Sequence, residues 1–182
     1  MAAIVAFALV MHGIESVQNR RGDGDSSDTD TITINLNGTK YVTDHHLKNY
    51  LIIGTDHSNT KKNSEEGYHG GMADFLLLVV LDETDQTYGY LQINRDTMTD
   101  VDMLDQDGDV EMTDTMQICM AHWYGTDETQ SSENTVTAVS GLLGGYPIDG
   151  YYTMDMDDVG KLNHAVGGVT VTIPQDMTQG QP

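Results

Sequence analysis

Seven consecutive apolar residues, Phe75 to Leu81, constrain this chain more than any other feature of it. A run of Leu and Val without polar alternation is what a strand covered on both faces looks like. A polar turn, Asp82-Glu83-Thr84-Asp85-Gln86-Thr87, follows it, and then Tyr88 to Ile93. The stretch from Ala73 to Thr97 therefore predicts two strands joined as a hairpin, lying mid-sheet beneath helices. Charge collects at the ends of the hairpin: Asp74 where the first strand opens, Arg95 and Asp96 where the second closes. Antiparallel pairing sets those ends side by side, so one cation and two carboxylates are expected at one rim of the sheet. Scarcity marks this corner, because the only arginines are Arg20, Arg21 and Arg95, and after Lys62 the only cations are Arg95 and Lys161. A solvated ion pair at a strand end accounts for the same residues equally well.

With 29 acidic residues against 8 Lys and Arg, the chain carries a formal charge of -21 over 182 residues. Nucleic-acid binding rests on basic patches and is excluded on this balance, as is binding to anionic lipid surfaces through charge. So much Asp suits a secreted surface or a salty medium. A lone cysteine, Cys119, excludes an internal disulfide framework and a Cys-based zinc site, and its apolar neighbours predict a buried thiol. None of the seven histidines has the i, i+4 spacing of a zinc helix, and neither a Gly-x-Ser-x-Gly elbow nor a Walker loop occurs.

Met1 to Met11 are almost wholly apolar, but a membrane-spanning helix needs roughly 20 such residues. No Lys or Arg precedes them, as a signal peptide would require. Residues 1–19 are therefore expected to be part of a membrane anchor with its juxtamembrane stretch, residues 20–30 a polar linker, and residues 31–182 an α/β domain. Within that domain, Thr31 to Leu36 alternates as a half-buried strand ending in a tight turn at Asn37-Gly38. Tyr50 to Thr55 predicts a strand that delivers Asp56 at its end, and His57 to Gly71 a long loop, a candidate lid. Thr99 to Asp114 is dense in acids, and Asp105 to Asp109 within it reads as a solvated acidic turn. An EF-hand would need Gly and Glu where the chain has Val110 and Met116. Thr115 to Tyr124 and Glu133 to Leu143 have helical spacing, the second stopped by Gly144-Gly145. Ile148 to Met154 predicts a strand, Asp155 to Ala165 a short helix, and Val169 to Ile173 a last strand. Strands and helices that interleave in this way predict a three-layer α-β-α domain with a central mixed β-sheet.

Five segments taken together, YLIIGTD, MADFLLLVVLDE, LQINRDT, PIDGYYTMDMDDV and AVGGVTVTI, resemble in that order the LytR-CpsA-Psr family of bacterial cell-envelope proteins, over Tyr50 to Ile173. QINRDT and QICMAHWYG resemble a variant branch found in clostridia and their relatives. The resemblance implies a single-pass anchor in the cell membrane, an extracellular domain with a deep apolar slot, and transfer of a glycopolymer from a polyprenyl-pyrophosphate carrier to peptidoglycan. It further implies that Asp56 and Asp74 hold Mg²⁺ or Mn²⁺ on the pyrophosphate, that Arg95 and Asp74 are catalytic, and that Arg95 with Asp96 binds substrate. The slot is expected between the hairpin and the helix carrying Val136, Val139 and Leu142. Ser58 stands where the family often has arginine and His164 where it commonly has aspartate, and the family's C-terminal arginines are expected beyond Pro182. A membrane-tethered protein that binds a polyprenyl lipid or wall component without catalysis is the alternative, and an acidic calcium-binding module a third.

Overall fold

The computed structural model describes residues 33–36, 38–42, 47–56 and 70–172. The expected anchor and linker, residues 57–69 of the candidate lid, and Ile173 lie outside these residues. Contacts divide the chain at Asp157/Asp158. In the larger unit, β1 (Thr33–Leu36) and β2 (Thr39–Val42) pair antiparallel around Gly38, whose φ of 81° suits glycine and the expected turn. β3 (Leu47–Thr55), β4 (Ala73–Asp82), β5 (Thr87–Ile93) and β8 (Gly150–Asp155) form one sheet in the order β5-β4-β3-β8. The β3–β8 pair is parallel and the others antiparallel, so the domain is α/β with a mixed sheet, as expected.

The hairpin forms where the sequence put it, but it is not central. Among the described residues β4 is interior while β5 is an edge strand, and every β5 residue except Ile93 is exposed. Tyr88, Gly89 and Gln92 already broke the apolar pattern there, and one covered strand does not oblige its partner to be covered.

Register explains which face holds the core. Leu51 and Ile53 lie opposite Leu78 and Leu76, and Leu51, Ile53 and Leu76 form with Ala73, Val101, Ile118, Ala138 and Val139 a cluster almost without exposed surface. An open slot would leave accessible area on its walls. Leu51, Ile53, Leu76 and Val139 are 0 % exposed, so among the described residues the core is packed closed around Val139, while Val136 and Leu142 on the same helix stay partly accessible. Accessible apolar surface lies on the opposite sheet face, where Phe75 and Tyr90 are 42 % and 74 % exposed.

The acidic stretch is a hairpin with a short turn. β6 (Met98–Leu104) pairs antiparallel with β7 (Val110–Gln117), and only Asp105 to Asp109 turn. Asp100 and Asp102 face Thr115 and Thr113 across the ladder and accept their hydroxyl hydrogen bonds at 2.8 and 2.5 Å, while Val101 points into the core. The alternation is therefore Asp outside and Val inside, a strand pattern that the count of acids concealed. Residues Thr115 to Gln117 belong to β7, which leaves α1 only Met120–Trp123 of the expected helix.

α2 (Glu128–Leu142) starts five residues earlier than the expected Glu133, because Asp127 caps it by accepting from the Gln130 amide at 2.8 Å. Its first half buries polar side chains that all but one satisfy themselves. Ser132 bonds the Glu128 carbonyl and the Thr153 hydroxyl, Thr135 bonds the Ser131 carbonyl, and Asn134 donates to the carbonyls of Asp102 and Ala121. Gly144 and Gly145, at φ 74° and 85°, end the helix as expected, with the Gly145 amide on the Ser140 carbonyl.

Beyond Asp158, α3 (Met156–Ala165) continues with an ion pair between Lys161 and Asp158 at 2.6 Å and closes on Gly167 and Gly168. Val169 to Thr172 form no strand, contrary to their alternation. An extended segment becomes a strand only when a ladder partner satisfies its backbone, and none is present among the described residues.

Candidate functional site

Where β3 and β4 approach their ends the register slips. Gly54 faces Phe75, yet the next residue, Thr55, faces Ala73, so Asp74 is the extra residue of a β-bulge. The slip turns Ala73 into the core, at 0 % exposure, and leaves Asp74 on the exposed rim. Asp56 follows Thr55 directly and so stands at this same end of the sheet.

Arg95 reaches the rim from the other side. After β5 the chain folds over Asn94, whose side chain accepts from the Asp96 amide at 2.9 Å and whose carbonyl accepts from the Thr97 amide at 3.0 Å. The Arg95 guanidinium pairs with the Asp74 carboxylate through one terminal nitrogen. Its Nε lies 3.7 Å from Asp96 Oδ1, which also accepts from Gln117 Nε2 at 3.0 Å. The other terminal nitrogen faces Met72 Sδ at 3.6 Å and Cys119 Sγ at 3.8 Å. Desolvation lowers the Arg95 pKa, but the Asp74 carboxylate, the neighbouring Cys119 sulfur and the Asp96 carboxylate outweigh it, so the group is held above its ordinary value and stays a cation. The expected convergence of Asp74, Arg95 and Asp96 is thus observed.

Strand pairing alone does not hold this corner together. The β4–β5 ladder ends at Leu76 opposite Ile93, short of both Asp74 and Arg95. The segment entering α1 fills the gap. The Ile118 amide bonds the Thr97 carbonyl at 2.8 Å and the Cys119 amide the Arg95 carbonyl at 3.2 Å, while the Cys119 carbonyl accepts from the Ala73 amide at 3.1 Å. A fourth tie is a side chain: His122 Nδ1 lies 2.7 Å from the Gly71 carbonyl. A carbonyl only accepts, so Nδ1 carries the proton. His122 is 3 % exposed, and burial lowers its pKa despite the Gly71 bond and the more distant Glu128 carboxylate. It is therefore neutral, with Nε2 buried and unpartnered. Reading the sequence missed Met72, Gln117 and His122, and took Cys119 as merely buried. The thiol is buried, but no spacing rule marks a residue whose backbone joins two distant segments.

No group of three or more His, Cys, Asp or Glu side chains poised for a metal occurs among the described residues. That excludes a cage built there from protein alone, but Mg²⁺ typically takes only one or two carboxylates and completes its octahedron with phosphate oxygens and water. Asp74, a hard oxygen donor with a side chain 34 % exposed, fits such a role, and Asp56 stands at the same sheet end. Among the described residues no helix is long and apolar enough to cross a membrane.

The solved structures that this fold resembles include protein gbs0355 from Streptococcus agalactiae, at 22% identity and a TM-score of 0.55 over 71% of this chain and 40% of that one. A second is yvhJ from Bacillus subtilis, described as a transcriptional regulator, at 24% identity and a TM-score of 0.50 over 72% and 50%. TagT, solved bound to LI-WTA, matches at 20% identity and a TM-score of 0.51 over 72% and 42%. The chain thus spans half or less of the length of these relatives, and at such identities the likeness concerns the fold. No curated protein sequence matches it. The sequence profile of the LytR_cpsA_psr family, however, matches residues 8–182, nearly the whole chain, which therefore belongs to that family.

Proposed function

We propose that this chain carries a pyrophosphate-binding corner of a transferase that moves a glycopolymer from a polyprenyl-pyrophosphate carrier to peptidoglycan, outside the cell and tethered to its membrane. One observation carries the reading. Arg95, the sole arginine among the described residues, has one strong acceptor in Asp74, while the partners of its second terminal nitrogen among those residues are both sulfur. Thioether and thiol sulfurs are weak acceptors, so a phosphate oxygen arriving there would gain a charge-assisted hydrogen bond and displace little. The family membership and the ligand of TagT, LI-WTA, accord with this reading.

In an acidic domain a pyrophosphate needs a divalent cation, and Asp74 with Asp56 would hold Mg²⁺ or Mn²⁺, which would neutralise charge on the phosphate oxygens. Asp96, held by Gln117, keeps Arg95 Nε in place at the outer edge. In the transfer an acceptor hydroxyl attacks the sugar-linked phosphorus, its bond to the oxygen bridging to the distal phosphorus breaks, polyprenyl phosphate leaves, and the hydroxyl proton passes to solvent. Arg95 stabilises the charge that develops on those oxygens. The apolar sheet face beginning at Phe75, beside Asp74, offers a surface for the prenyl chain.

The test is a titration with a fluorescent polyprenyl pyrophosphate, with Mg²⁺ or with EDTA, on this chain and on one extended to the length of its relatives. Arg95→Ala should weaken binding by about ten- to a hundredfold and Arg95→Lys should recover only part, since a point charge lacks the fork. Binding by the longer chain that is indifferent to EDTA and to Arg95→Ala would reject the proposal.

A further inference from the structure

β3 holds the arm bearing Asp74 as far as Ala73, but the β4–β5 ladder that would join it to the arm bearing Arg95 stops at Leu76 and Ile93. Past the Leu76–Ile93 pair, the backbones of the two arms are bridged among the described residues by the stretch from Ile118 to His122. Three of its four ties use backbone groups, which any residue supplies. The fourth, His122 Nδ1–H on the Gly71 carbonyl, is the tie to the Asp74 arm that a side chain decides, whereas Cys119 Sγ touches the Arg95 side. Gly71 is three residues from Asp74 and adjoins Met72, whose sulfur touches Arg95.

The ring has little freedom to sit elsewhere. A Cβ at Gly70 would come within 2.3 Å of the His122 carbonyl oxygen and 2.9 Å of Nδ1, and one at Gly125 within 2.3 Å of Ser131 Oγ. Two glycines thus let the 70–71 arm and α2 close upon His122. The far nitrogen, Nε2, is buried without a hydrogen-bond partner, as is Ser131 Oγ. A polar side chain so placed costs stability through the atom left unpaired, and a purely apolar ring would avoid that cost. A residue serving only to fill the core has no need of the imidazole.

We propose that His122 is the positioning residue of the corner: by donating from Nδ1 to the Gly71 carbonyl it fixes the arm that carries Asp74, and so sets the Asp74–Arg95 pair. The proposal rests on the reading of that pair as the pyrophosphate site, yet it can be tested on the unliganded protein. Arginine labelled with ¹⁵N gives only three Nε–Hε resonances, from Arg20, Arg21 and Arg95, and Arg95→Lys identifies the relevant one. Asparagine places an amide N–H close to the position of Nδ1, whereas glutamine places it near Nε2 and phenylalanine has none.

In His122→Gln and His122→Phe the Arg95 resonance is expected to move toward that of free arginine and to exchange with water about tenfold faster, as loss of one hydrogen bond would allow. His122→Asn is expected to keep the wild-type position. If His122→Phe does not fold, the comparison of Gln with Asn carries the test alone. An Arg95 resonance unmoved in the Gln variant, or moved equally in the Asn variant, would overturn the proposal even if melting temperatures fall, because a purely structural role lowers stability without reshaping the folded corner. Adding Mg²⁺ with geranyl pyrophosphate to the wild-type protein probes the underlying reading separately. A resonance that ignores the ligand rejects the site, while the effect of His122 on the pair stands on the unliganded spectra.

Discussion

Gly70→Ala should destabilise the protein through a contact that cannot be relaxed by turning a side chain. The added Cβ would lie 2.3 Å from the His122 carbonyl oxygen, about 1 Å inside ordinary van der Waals separation. That oxygen belongs to the backbone of α1, so either α1 or the arm leading to β4 must shift. Ser131 Oγ at 2.7 Å and His122 Nδ1 at 2.9 Å close two further directions. Overpacking of a tight interior typically costs 1–3 kcal/mol, so a value of about 2 kcal/mol is expected here. A chain of this size loses about 3 °C of melting temperature per kcal/mol, so the midpoint should fall by roughly 6 °C. Calorimetry and urea denaturation measure it, and an unchanged m-value would confirm that stability alone has moved. Adding Ser131→Ala should recover little, because the backbone contact remains. A Gly70→Ala protein that melts with wild type would refute the packing of this arm against His122, and with it the basis for the positioning role.

Gly141 provides the contrasting case: it is exposed on α2 and a Cβ there meets nothing within 4 Å, so Gly141→Ala should stabilise by up to ~1 kcal/mol in the same urea assay. Asp127→Ala removes the carboxylate that accepts from the Gln130 amide and should cost about 1 kcal/mol, with Asp127→Asn close to neutral. The pH dependence follows from His122. Burial lowers its folded pKa, so the unfolded chain takes up its proton first, near pH 6.5. Its contribution is fully present above that pH and is lost as pH falls below it toward the folded value. Urea midpoints at pH 7.5 and 5.5 should therefore differ in wild type and differ less in His122→Asn.

Local pattern decided much of the fold. The seven-residue apolar run, the alternation of strand residues and the glycine stops at 38 and 144–145 each act within a few neighbours, and the structure follows them. The scarcity of arginine was likewise visible in the chain itself, and it singled out Arg95 correctly as the partner of Asp74. Other features depended on what lies opposite. β5 became an edge because nothing pairs beyond it among the described residues, and Val169 to Thr172 remained irregular for the same reason. β6 and β7 took shape because Thr113 and Thr115 stand across from Asp102 and Asp100, which turns an apparently solvated acidic run into a ladder. The bulge that exposes Asp74, and the Cys119 backbone and His122 ring that hold its arm, arise from contacts between residues twenty to fifty apart. A sequence states which groups are available and how they repeat. Which carbonyl a buried imidazole meets is set by packing, because that partner is fixed only when distant segments close on one another.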